Sequence, residues 1–158
     1  MRGGARLADR PGDDDDMAVQ GYFYKGVALA KVQRYEESLA AFDRALEYDP
    51  DNPLAYYHRG RALFELGRYD DAIEAFGRTL ALKPKYSDAR MRLGIALYQL
   101  GRLNDAITEF DSVLSDNPNN FHAYYQKGRT LFDLAVAVSL LARRLLDDCP
   151  HIARHSGS

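Results

Sequence analysis

Four glycines, Gly26, Gly60, Gly94 and Gly128, stand 34 residues apart without drift. Nothing else in the chain constrains its fold as strongly. A fixed period of this length marks repeated units that bury their apolar faces only against neighbouring units. Phe42, Phe76 and Phe110 keep the same spacing, as do Pro50, Pro84 and Pro118. So do Leu29, Leu63, Leu97 and Leu131. The units run 19–52, 53–86 and 87–120, followed by a partial fourth over 121–134.

Each unit reads as a pair of helices. In the second, Tyr56, Ala62, Leu63 and Leu66 share one helical face, and Gly67 ends that helix because glycine accepts the left-handed C-terminal conformation. Tyr69, Ala72, Ile73, Phe76 and Leu80 then form an i, i+3, i+4, i+7 stripe on a second helix. Pro84 stops it, since its ring cannot continue a helix. A glycine at position 8 of the unit and a small residue at position 20 (Ser38, Ala72, Ala106) allow the two helices to approach closely.

Tyr22, Gly26, Ser38, Phe42, Ala45 and Pro50 resemble the pattern of the tetratricopeptide repeat (TPR) family. So do Tyr56, Gly60, Ala72, Phe76, Thr79 and Pro84, and Gly94, Ala106, Phe110, Val113 and Pro118. Arg90 departs from the bulky residue usual at position 4, and the fourth unit keeps only Tyr124, Gly128 and Leu131. The resemblance implies an all-α fold, a right-handed superhelical array of antiparallel helix pairs extending for three and a half repeats. It implies a protein–protein interaction module rather than an enzyme, with no cofactor. Fold alone does not name a partner.

In this family the first helix of each pair lines a concave groove. By resemblance the groove residues are Phe23, Val27 and Lys31 in unit one and Leu54, Tyr57, Arg61 and Phe64 in unit two. Met91, Ile95 and Tyr98 follow in unit three, and His122, Tyr125, Arg129 and Phe132 in unit four. Several of the aromatics also read as scaffold, since positions 5 and 12 are often aromatic for packing. Some TPR modules grip the C-terminal carboxylate of chaperones through lysine, asparagine and arginine side chains. The matching positions here are Phe23 and Val27 in unit one and Met91 and Ile95 in unit three, so that clamp is absent.

Charge points to the kind of ligand. First-helix segments carry +2, +1, +1 and +1, whereas the second-helix segments carry −3, 0 and −3. A basic groove with aromatic walls favours an acidic peptide segment bearing apolar anchors, with Arg61 and Arg129 meeting its carboxylates. The net charge of −2 argues against a general nucleic-acid binder. No stretch is long and apolar enough to span a membrane. Arg2, Arg6 and Arg10 lack the apolar core of a secretory signal, and a single cysteine excludes an internal disulfide framework, so a cytoplasmic location is expected. Cys149, His151 and His155 could supply three zinc ligands but have no fourth nearby, and no metal site is expected.

The ends depart from the pattern. Residues 1–18, with Pro11 and the run Asp13–Asp16, read as a disordered leader. Residues 150–158 read as a flexible tail. Between them and the array, 135–149 is an atypical apolar helical segment. Position 15 of unit four is Ala135, so no glycine stops the first helix there. Either that helix runs on from about Phe121 to Asp147, or a turn forms and the segment docks as a degenerate second helix. Its surplus of apolar residues predicts that it covers the open end of the array or pairs with a second molecule. Homodimerisation through 135–146 is the alternative function.

Overall fold

A computed structural model describes residues 12–149. It contains seven helices and, among the described residues, no strand. These are α1 (Asp13–Lys31), α2 (Tyr35–Tyr48), α3 (Pro53–Glu65), α4 (Tyr69–Leu82), α5 (Ser87–Gln99), α6 (Leu103–Asp116) and α7 (Phe121–Asp148). Consecutive helices pack side by side from α1 to α7. The odd-numbered helices also touch one another in succession, whereas the described residues of the even-numbered helices do not. The odd helices therefore lie on the inner side of the array.

Local chemistry sets the helix boundaries. Pro53 occupies the first turn of α3, and the Asn52 side chain accepts a hydrogen bond from the Ala55 amide at 3.1 Å. Asn120 caps α7 in the same way through the Ala123 amide at 3.0 Å. At the other end of α3, Gly67 takes φ +73° and the Arg68 amide donates back to the Leu63 carbonyl at 2.9 Å. Gly101 repeats this turn with φ +75°. In unit one the same position is Gln33, also with positive φ, so glycine eases this turn without being indispensable. Packing of Leu39 and Phe42 from the helix that follows offsets the strain.

The helices meet at the periodic glycines. A Cβ placed on Gly26, Gly60 or Gly94 would come within 2.6, 2.7 and 2.6 Å of the rings of Phe42, Phe76 and Phe110. All three rings are fully buried, and Ser38, Ala72 and Ala106 are fully buried beside them. The Ser38 hydroxyl satisfies itself by donating to the Gly26 carbonyl at 2.8 Å. Gly128 is different: a Cβ there meets nothing within 4 Å.

One boundary differs from the sequence expectation. Residues 13–18, placed in the leader, belong to α1. Asp13, Asp14, Asp15 and Asp16 fill its first turn, where carboxylates meet unpaired amides and the positive end of the helix dipole. Residues 1–11 of the leader and the 150–158 tail lie outside the described residues. At the C-terminus the first alternative holds: α7 is one helix of 28 residues, and no second helix docks in unit four among the described residues. Val136, Val138, Leu140, Leu141, Leu145 and Leu146 are exposed, so the segment does not cover the open end of its own array.

The glycine geometry makes a paired prediction. Gly94→Ala should destabilise by about 1–3 kcal/mol, because the added Cβ would force the fully buried Phe110 ring to shift. Gly128→Ala should be neutral or stabilise by up to about 1 kcal/mol through helix propensity alone. Thermal melts of dilute protein, followed by circular dichroism, measure both. Equal midpoints for the two variants would contradict the packing role of position 8.

Candidate functional site

The inner face carries a row of cations that lack carboxylate partners. Among the described residues, Lys31, Arg61, Arg92 and Arg129 make no ion pair. Three other first-helix cations are used elsewhere. Arg59 pairs with Asp43 at 2.7 Å, Arg90 with Glu109 at 3.1 Å and Lys127 with Asp111 at 2.6 Å, each reaching an even-numbered helix. The positive excess read from the first-helix segments is thus partly neutralised by the outer helices. What stays available on the inner face lies at positions 6, 9 and 13, while Lys25 at position 7 is exposed and also without an ion pair among the described residues.

Tyrosines hold three of these cations, Arg61, Arg92 and Arg129, in place. Arg129 lies over the Tyr98 ring at 4.3 Å from its centroid, and Arg61 over Tyr57 at 5.9 Å. Arg92 donates from Nε to the Tyr57 hydroxyl at 3.0 Å, and the Tyr98 hydroxyl donates to Asp133. Both hydrogen bonds join residues 35 apart, one repeat plus one residue, and so stitch successive first helices together. Nε of Arg129 is buried without a hydrogen-bond partner.

The expected groove residues separate into groups. Val27, Lys31 and Arg61 come together with Ala30, Tyr35, His58, Ala62 and Glu65 around an open depression of about 290 Å³. Phe23 and Leu54 line a second depression of about 270 Å³ between the first two units. Tyr57 and Met91 are buried, only 6% and 7% exposed, and belong to the packing beneath the surface. Phe64 is half-buried with its ring 5.1 Å from Tyr69, and Ile95 packs against the core of unit three. His122, Tyr125 and Phe132 are exposed on α7. Phe132 borders a separate depression with Val136 and Leu140, away from the Lys31–Arg61 group.

Arg92 and His58 are site residues that sequence reading missed. Both occupy position 6, which the family pattern leaves unspecified. The 35-residue offset between Arg92 and Tyr57 was the available signal. His58 is wedged among Phe23, Tyr57 and Phe42, with ring centroids 5.3, 5.2 and 5.9 Å away. Burial, followed by the charges of Arg61 and Arg92, pushes its pKa down to about 4. No group of three or more potential metal ligands occurs among the described residues, and His151 and His155 lie outside them.

The imidazole is consequently neutral when folded, while the unfolded chain takes up a proton near pH 6.5. Between about pH 6.5 and 4 the unfolded state binds more protons, so His58 makes stability fall as pH is lowered through that window. Melting midpoints should therefore drop more steeply between about pH 7.5 and 4.5 for the native chain than for His58→Gln. Parallel curves would show that the ring is not held neutral.

The sequence profile described as "Tetratricopeptide repeat" matches residues 23–87, 59–121 and 91–151. No curated protein matches the chain. Among solved structures, the chain is similar to the first TPR of Spaghetti (RPAP3) bound to the HSP90 peptide SRMEEVD. That likeness has 28% identity and a TM-score of 0.72, covering 75% of this chain and 94% of that one. It is also similar to the second TPR domain of human RPAP3 in complex with the HSP70 peptide SGPTIEEVD. Here identity is 27% and the TM-score 0.70, covering 73% and 97%. The MamA protein shares the fold at 21% identity with a TM-score of 0.72, over 93% of this chain and 81% of that one. With three overlapping profile matches spanning most of its length, and the glycine–phenylalanine packing in place, the chain belongs to the tetratricopeptide repeat family.

Proposed function

We propose that this protein is an interaction module that binds an acidic peptide segment with apolar anchors along its odd-numbered helices. The observation that carries this reading is the row Lys31, Arg61, Arg92 and Arg129, unpaired with carboxylates among the described residues, of which Lys31 and Arg61 line an open depression. A cation stacked on tyrosine keeps its charge while losing part of its hydration, which favours pairing with an incoming carboxylate. The depressions lined by Phe23, Leu54 and Val27 offer seats for apolar side chains. Two relatives bind peptides rich in glutamate, SRMEEVD and SGPTIEEVD, which supports an acidic ligand class.

The mode of capture differs from a terminal-carboxylate clamp. Phe23, Val27, Met91 and Ile95 stand where that clamp needs polar and basic groups, so the binding energy comes from side-chain carboxylates and apolar contacts. The protein is read as a cytoplasmic scaffold with no enzymatic activity and no nucleic-acid ligand. None of its described helices is long and apolar enough to cross a membrane. A second reading, self-association, is favoured by the exposed apolar face of α7.

Arg61→Glu together with Arg129→Glu should weaken capture of acidic peptides by about 1–3 kcal/mol for each desolvated pair lost. Raising salt should weaken the native interaction. A panel of fluorescent peptides varied in charge and apolar content, titrated by anisotropy, measures this. Equal affinity of the native and doubly substituted proteins at low salt would remove the groove from consideration.

A further inference from the structure

The fourth unit has a vacant helix seat. In units two and three, Leu63 and Leu97 are 1% and 4% exposed because the following helix covers them, whereas Leu131 at the same position is 44% exposed. Gly60 and Gly94 are closed by phenylalanine rings, while Gly128 faces open space. Tyr124 completes this bare strip at position 4. In every complete unit the seat is filled by a helix running antiparallel to the first.

A heptad runs along the same strip and continues beyond the repeat. Gly128, Ala135, Ala142 and Cys149 are small and seven residues apart. Tyr124, Leu131, Val138 and Leu145 are large and interleave with them at alternating three- and four-residue steps. Both sets are exposed. A seam of this period is built to meet another helix.

We propose that α7 pairs antiparallel with α7 of a second copy of this chain, each filling the empty seat of the other. This rests on the self-association reading and specifies its register. Gly128 faces the partner's Leu145, Leu131 the partner's Ala142, Ala135 the partner's Val138, and Tyr124 the partner's Cys149. Every small residue then receives a large one, the alternation that lets two helices interdigitate without voids. At the edges Leu134 meets the partner's Leu141 and Tyr125 the partner's Leu146. Lys127 meets the partner's Asp148, an opposite-charge match made twice by the two-fold symmetry. Lys127 already binds Asp111, but an ammonium has donors to spare. Sliding the helices by one heptad would strand either Tyr124 and Gly128 or Leu145 and Cys149, and would break the Lys127–Asp148 match. The large–small fit and the charge match favour a second copy over an unrelated helix.

The single cysteine makes the register testable. In Tyr124→Cys, mild oxidation should produce a disulfide-linked dimer through the partner's Cys149, absent from Tyr124→Cys/Cys149→Ser. Arg143→Cys, exposed but off the seam, should link far less. Sedimentation of the native chain over a concentration series should show a dimer. Val138→Asp/Leu145→Asp should weaken it at least tenfold while the helical circular dichroism signal is retained, since both side chains are exposed in one copy. A native chain that stays monomeric throughout would overturn both the pairing and the self-association reading. A dimer that persists in Val138→Asp/Leu145→Asp, or that fails to link through positions 124 and 149, would overturn this register and leave self-association by another surface.

Discussion

The close approach between glycine at position 8 and phenylalanine at position 24 is the constraint on which the rest of the structure depends. With Cβ-to-ring distances that a side chain could not tolerate, each first helix lies directly against the ring of its own second helix. This fixes the spacing within the pair, and repetition of the pair fixes how the next unit stacks. The inner line of odd helices, and therefore the spacing of the cations they carry, follows from a backbone contact repeated three times. The buried hydroxyl of Ser38 fits the same geometry, since the Gly26 carbonyl it binds is reachable only at such close range.

Charge is divided between two jobs on the same helices. Arg59, Arg90 and Lys127 face outward and tie each first helix to acidic residues of an even helix. Such partly exposed pairs contribute little stability one by one, but they remove positive charge from the rear of the inner helices. Arg61, Arg92 and Arg129 face tyrosines instead. Tyr57 thus packs the core with its ring and orients Arg92 through its hydroxyl, while the Tyr98 ring carries Arg129 and its hydroxyl binds Asp133. That double duty explains why Tyr57, expected to contact ligand, is buried: its influence on the groove passes through Arg92 and Arg61.

The fold was legible in the sequence because its governing contacts are periodic and use residue types whose backbone behaviour is distinctive. Glycine, phenylalanine and proline at a fixed interval mark helix contact and helix end directly, whereas Ala135 in place of glycine left continuation of α7 and a docked second helix both open. The groove was less legible. A family pattern assigns faces to positions, but burial depends on neighbours: Met91 sinks into the core of unit three while Tyr125, at the same position in unit four, is exposed for want of a following helix. Arg92 and His58 occupy a position with no consensus, and their roles come from contacts one repeat away. The start of α1 was missed because a run of aspartates reads as solvated chain. Its place in a first helical turn gives those charges a favourable electrostatic setting instead.

The unfinished fourth unit shows how far a helix extends when its stop and its covering partner are lost together. The left-handed turn at position 15 is strained for any residue but glycine, and in unit one it persists at Gln33 because Phe42 and its neighbours bury themselves afterwards. At Ala135 there is neither a glycine to ease the turn nor, at position 24, a phenylalanine to reward it, since Arg144 stands there. Continuing the helix adds one backbone hydrogen bond per residue onto a nucleus already held by α6, so no new nucleation is required. The proximal half of α7 is fixed by tertiary packing, while the distal half relies on helix propensity and on whatever meets its apolar seam. Local unfolding should therefore begin at Asp148 and advance toward Ala135, stopping where Thr130 and Ala123 are buried against the array.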